Sequence, residues 1–259
     1  MNRILSLIGL LLFLLPGLPK GAHAQQNQQK SLLTVRPDTL TLFDKARSRP
    51  IPIAIFRPMP GIISPQLIIL NHGYGANDPG SYLTYRGICN FLAWQGYMVI
   101  SIQHELPTDE LIPMEGKPQI VRRPFWDRGA DNILFVIRYA QAHYAAQCNT
   151  RNIVLIGHSN GGDMSALFPQ KYPGIVSKVI TLDNRRMALP RTRKPKIYTL
   201  RSSDQPADEG VLPAETEAKK LGMKIIKLPA TIHNDMDDGG TTAQQAEING
   251  YIKQFLQEK

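Results

Sequence analysis

Ile153-Val154-Leu155-Ile156-Gly157-His158-Ser159-Asn160-Gly161-Gly162 runs from four aliphatic residues straight into a serine bracketed by glycines. The aliphatic run reads as a buried strand, and Met164-Ser165-Ala166-Leu167-Phe168 just beyond reads as a helix. A Gly-x-Ser-x-Gly between strand and helix has a mechanical meaning. The turn is so tight that the serine is held in a strained backbone conformation, and the positions two before and two after it must lack bulk. Gly157 and Gly161 meet that need, and Gly162 lets the helix start close to the sheet. The serine hydroxyl is then presented at the carboxyl edge of the sheet, beside a helix N-terminus that favours developing negative charge.

Outward from this turn, strand-like and helix-like segments alternate, which indicates an α/β architecture with a mostly parallel sheet. Strands are expected at residues 32–43, 51–56, 66–70, 97–102, 176–182, 196–200 and 223–228, besides the one ending at Ser159. Helices are expected at 82–95, 129–146, 215–221 and 241–256. Residues 104–128 hold Pro107, Pro113, Pro118 and Pro124 and read as a long functional loop. The segment 183–195 is too short for a large cap. A length of 259 residues with 42% apolar content suits a single domain, residues 32–259.

Residues 1–24 read as a signal peptide: basic Arg3, the apolar core 4–15, and Ala22-His23-Ala24 as a small-x-small cleavage site. The apolar run is shorter than the about 20 residues a membrane span needs, so no integral span is expected after cleavage. The alternative is an uncleaved anchor. Cleavage near Ala24 exports the mature chain, periplasmic or secreted, with the Gln-rich 25–31 as a flexible lead-in. The net charge of +9 includes Arg3 and Lys20 and is +7 without them. A basic exported protein can associate weakly with anionic surfaces. The densest basic stretch holds Arg185, Arg186, Arg191, Arg193, Lys194 and Lys196. No aromatic residues interleave with it, so nucleic acid is not an expected partner. Cys89 and Cys148, read onto helices on opposite faces of the sheet, are expected as free thiols.

A serine nucleophile needs a base, and elimination among the six histidines is instructive. His23 leaves with the leader. His158 adjoins the nucleophile and points away from its hydroxyl. His72 lies in a Gly-rich loop, His143 on a helix, and His104 comes too early in the chain. His233 remains, on the loop between the last strand and the last helix. Its orienting carboxylate is expected to be Asp204, beyond the strand 196–200, with Asp183 and Asp208 as the alternatives. The oxyanion donors are expected to be the main-chain N–H groups of Asn160 and of Tyr74 in His72-Gly73-Tyr74-Gly75. Asp235, Asp237, Asp238 and Gly239 lack calcium-loop spacing and no phosphate-cradling loop is present, so neither metal nor cofactor is expected.

With His72-Gly73-Tyr74-Gly75, Gly157-His158-Ser159-Asn160-Gly161-Gly162, Asp204 and His233 in nucleophile–acid–base order, the chain resembles the α/β-hydrolase superfamily over about residues 32–256. In size it is similar to the small cap-less serine esterases and the dienelactone-hydrolase-like branch. The resemblance implies an α/β fold with a central, mostly parallel eight-stranded sheet, helices on both faces and no large cap domain. It also implies acyl transfer to water through an acyl-enzyme on Ser159, with a small-molecule ester as substrate. Two departures stand out: serine replaces the cysteine of true dienelactone hydrolases, and Arg201 stands where a glycine is common ahead of the acid. Expected pocket walls are Tyr74, His104, Leu111, Met114, Ile120, Phe125 and Trp126, with Phe125 and Trp126 alternatively anchoring the long loop. Arg122 and Arg123 read as a solvated pair or a carboxylate site. An open site favours short or medium esters. The other readings are a peptidase or amidase on the same triad, and a non-catalytic binding protein that has kept the fold.

Overall fold

The computed structural model describes residues 36–258, so the expected leader (1–24) and lead-in (25–31) lie outside the described residues. Eight strands form one sheet: β1 (Asp38–Asp44), β2 (Arg49–Phe56), β3 (Gln66–Asn71), β4 (Met98–Ile102), β5 (Asn149–His158), β6 (Val176–Leu182), β7 (Lys196–Arg201) and β8 (Lys224–Lys227). Their order is β1-β2-β4-β3-β5-β6-β7-β8. The pairings β1–β2 and β2–β4 are antiparallel, and all the others are parallel. The expected α/β-hydrolase sheet is therefore present, with the nucleophile's strand near its middle.

The helices are α1 (Arg86–Trp94), α2 (Pro118–Val121), α3 (Arg123–His143), α4 (Ser159–Lys171), α5 (Glu215–Leu221) and α6 (Thr242–Gln257), with 3-10 turns at Ser81–Leu83 and His233–Asp235. Period-two alternation along the strands divides the core in two. Leu67, Ile69, Ile100, Ile153, Leu155 and Val179 face α3 and α4. Ile68, Leu70, Val99, Val154, Ile156 and Ile180 face α1 and α6. Cys148 and Cys89 belong to these two opposite clusters, and both are free.

Three expectations need correction. Residues 104–128 are not one loop: α2 begins at Pro118, and α3 begins at Arg123 with Pro124 in its first turn, six residues ahead of the expected start. Proline lacks only an N–H that the first helical turn leaves unpaired, so here it starts helices rather than excluding them. The expected helix 82–95 divides into the 3-10 turn at Ser81–Leu83 and α1. Cys148 lies in the turn ahead of β5, not on a helix. Among the described residues no helix is long and apolar enough to cross a membrane.

Candidate active site

Every functional side chain is delivered by the carboxyl edge of the parallel sheet. Ser159 is the first residue of α4, immediately after β5, and its φ is +50°. The flanking glycines are sterically required: a Cβ on Gly157 would stand 2.3 Å from the Gly161 carbonyl oxygen, and one on Gly161 would stand 2.3 Å from those of Asn71 and His72. No side chain fits either place, so the turn's tightness is written into these two positions.

His233 opens the 3-10 turn beyond β8 and brings its Nε2 to 2.9 Å from Ser159 Oγ, two residues 74 apart in the chain. Its Nδ1 is 2.6 Å from Asp183 Oδ2. Asp183 follows β6 directly, has its own φ at +56° and has no exposed surface. Ser202 donates to the same carboxylate from its backbone N (3.1 Å) and its Oγ (2.7 Å). Burial pushes the Asp183 carboxyl up, but the His233 hydrogen bond, the nearby Arg201 charge and the Ser202 bonds outweigh it and hold it below the ordinary carboxylate range.

The expected Asp204 therefore does not occupy the orienting position. Asp204 is exposed, and its Oδ1 accepts the main-chain N–H of His233 at 2.7 Å, so it fixes the loop and not the ring. Asp208 lies further off, paired with Arg186 and Gln119. Because β6 and β7 run parallel, with Leu182 opposite Leu200, both strands end at one edge and both offer a carboxylate there. Asp183 is the one that needs no connecting turn.

Around the Ser159–His233 pair the structure adds a layer of buried polar groups. His158 accepts at Nδ1 from the Tyr85 hydroxyl (2.6 Å) and donates from Nε2 to the His233 carbonyl (3.1 Å). Asn160, 5% exposed, is clasped on both side-chain atoms. Its Oδ1 accepts from Trp126 Nε1 at 2.8 Å, and its Nδ2 donates to Glu105 Oε1 at 2.9 Å. Burial pushes the Glu105 carboxyl up to about 7, and the second oxygen of Glu105 has no hydrogen-bond partner. His72 donates from Nδ1 to the Gly73 carbonyl (2.6 Å) and accepts the His104 N–H at Nε2 (3.0 Å). Burial takes His72 down to about 4, so it stays neutral at working pH. The backbone N–H of Asn160 belongs to the first turn of α4, where the helix provides no internal acceptor.

The cleft over Ser159 has a volume of about 450 Å³ and a mixed wall: Tyr74, Asp78, Ser81, Thr84, Tyr85, Asn234 and Asp237 join Ser159 and His233. Of the expected walls, only Tyr74 is among them. Trp126 and Phe125 are buried at 0% and 7% exposure, because the early start of α3 turns them into the core. His104 is buried, bonding Asn71 through Nε2, whereas Leu111, Met114 and Ile120 are exposed away from this wall. Arg122 donates to the Pro113 carbonyl and so ties down the loop, whereas Arg123 pairs with Asp127 one turn further along α3. Sequence reasoning missed Tyr85 and Glu105 altogether. Among the described residues no group of histidines, cysteines and carboxylates is arranged to hold a metal.

No protein-family model and no curated protein matches the chain. Solved structures do. A thermophilic esterase from Thermogutta terrifontis, Est2 with butyrate bound, matches with a TM-score of 0.62 at 14% identity, over 85% of this chain and 93% of that one. A fungal esterase structure from Rhizomucor miehei matches with a TM-score of 0.65 at 16% identity, over 86% of this chain and 82% of that one. At such identities the likeness is one of architecture: the chain has the α/β-hydrolase fold that these esterases share.

Proposed function

We propose that the protein is a serine hydrolase that cleaves carboxylic esters through an acyl-enzyme on Ser159. One observation carries this reading: the unbroken hydrogen-bond line Ser159 Oγ–His233 Nε2 and His233 Nδ1–Asp183 Oδ2, at 2.9 and 2.6 Å, opening into a cleft. A binding protein has no use for a strained serine held against a carboxylate-oriented imidazole.

In this reading His233 Nε2 takes the Ser159 proton as Oγ adds to the ester carbonyl. Asp183 holds the ring with Nδ1 protonated and stabilises the imidazolium that forms. The N–H groups of Asn160 and Tyr74 receive the oxyanion, and the clasp of Trp126 and Glu105 on Asn160 keeps the first of these in place. The tetrahedral adduct collapses, and His233 returns the proton to the departing alcohol. Water then attacks the acyl-enzyme with His233 as base, releasing the carboxylic acid and restoring Ser159. The modest volume of the cleft, about 450 Å³, suits short esters. The leader-like residues 1–24 support export as the setting of this activity.

Matched ester and amide substrates of identical acyl group, assayed with Ser159→Ala alongside, test the reading. Serine-dependent turnover of short esters well ahead of amides is the expected result. Comparable or faster amide turnover establishes a peptidase or amidase instead.

A further inference from the structure

Arg201 ends β7 with its side chain 8% exposed, against an Asp183 side chain that is fully buried. Burying a guanidinium is costly unless its charge and its donors are both answered. Its Nη1 donates to the Asn184 carbonyl (2.8 Å) and to Thr199 Oγ1 (3.2 Å). Its Nη2 stands 2.9 Å from Asp183 Oδ1 yet makes no aligned hydrogen bond. The directed bonds to Asp183 come from His233 and Ser202. Holding the carboxylate in place thus does not require Arg201. What Arg201 adds is a full positive charge, in contact, where little water screens it.

We propose that Arg201 is a positioning residue that acts through Asp183 by its charge, weakening the hold of the Asp183–His233 pair on its proton and so keeping His233 available as a base further into acid. This rests on Ser159, His233 and Asp183 acting as a triad. The sign is fixed by electrostatics: a cation beside the pair lowers its proton affinity, and removing the cation raises it. The other charged or titratable groups facing the pair are His158 from β5, Asp163 from α4, Arg185 from the segment after β6, and Asp204 from the segment after β7. Burial takes His158 down to about 3, so it carries no charge near neutrality. Burial pushes Asp163 up to about 6, and because it also feels the Arg201 charge, its titration moves upward too in the neutral variants and stays in place in Arg201→Lys. Arg185 bonds Gln205 and lies only partly buried, so its charge is better screened than that of Arg201.

The test is the pH dependence of kcat/KM for Arg201→Met, Arg201→Gln and Arg201→Lys beside the wild type, on one neutral ester. Arg201→Met and Arg201→Gln move the acid limb upward by about one pH unit, a roughly tenfold loss on that limb. Arg201→Lys, which keeps the charge, leaves the limb near its wild-type position. Folded neutral variants with an unmoved limb overturn the proposal. So does failure of both neutral variants to fold by circular dichroism, which would assign Arg201 a structural role. Absence of Ser159-dependent turnover in the wild type itself would instead overturn the triad reading, so the two failures are distinct.

Discussion

The Tyr85 hydroxyl and His158 Nδ1 lie 2.6 Å apart, and through this contact three segments of the active site are joined. The Gly73 N–H donates to the Tyr85 oxygen at 3.0 Å, so the Tyr85 proton is free to go to His158. His158 is then left with its proton on Nε2, which donates to the carbonyl of His233. Burial pushes the Tyr85 hydroxyl up and the His158 ring down to about 3, so both stay neutral. The loop before Tyr74, the turn carrying Ser159 and the backbone of the base are thereby held to one another without any charge that pH can change.

Tyr85→Phe removes the acceptor of the Gly73 N–H and the donor to His158 in one step. Leaving such buried groups unpaired costs about 1–3 kcal/mol each. The variant is expected to melt several degrees lower and to lose about tenfold or more in kcat/KM, as one oxyanion donor drifts. Thermal denaturation and steady-state kinetics on one preparation check both effects.

Asp183→Asn and Asp204→Asn separate the two carboxylates that meet His233. Losing the acceptor at 2.6 Å from Nδ1 disturbs tautomer and orientation, and a loss of about 10³–10⁴ in kcat follows. Asp204 meets the main-chain N–H of His233 and the Ser202 side chain but not the imidazole ring, and its replacement costs about tenfold or less. Single-turnover rates for the pair decide the assignment.

Gly161→Ala and Gly250→Ala test how tightly the nucleophile turn is packed. At Gly161 a Cβ would run into two backbone carbonyl oxygens, which cannot swing aside. Destabilisation by about 3 kcal/mol or failure to fold is expected. At Gly250, inside α6, a Cβ meets nothing within 4 Å. There alanine stabilises by about 0.5–1 kcal/mol through helix propensity. Denaturant titrations give both values.

Glu105→Gln addresses the buried acid that clasps Asn160. Burial pushes this carboxyl up to about 7 from its ordinary 4.5, so the folded state binds its proton more tightly than the unfolded state does. The stability it contributes is complete below pH 4.5 and fades as pH rises through about 7. Glutamine keeps an acceptor for Asn160 Nδ2 and cannot ionise. Relative to wild type, the variant is expected to gain stability between pH 5 and pH 8, by on the order of 1–2 kcal/mol. Unfolding curves at the two pH values measure the slope.

Ser159 and His233 were legible in the sequence because local chemistry marks them: only glycines fit the serine's turn, and His233 lies between the last strand and the last helix. Asp183 and Asp204 are not separable that way. Each follows an apolar strand, and the choice depends on how two parallel neighbours end at one edge, which no local pattern records. Arg201 held an unused signal, since an arginine closing a buried strand needs a buried carboxylate nearby. The sequence leaves Phe125 and Trp126 between pocket wall and anchor for a different reason. Prolines at 118 and 124 are compatible with both loop and helix start, and only the packing of α3 against the core decides which. The cleft is built from three separate chain segments, 73–85, 158–159 and 233–237, so its wall emerges only with the fold.

The most direct test of the central claim is covalent labelling of the purified protein with a fluorophosphonate probe, the adduct being located by peptide mass. One adduct is expected, on Ser159, formed rapidly by the wild type, at least a hundredfold more slowly by Asp183→Asn, and not at all by Ser159→Ala. A folded wild-type protein that remains unlabelled, or one labelled equally fast after Asp183→Asn, would contradict that claim.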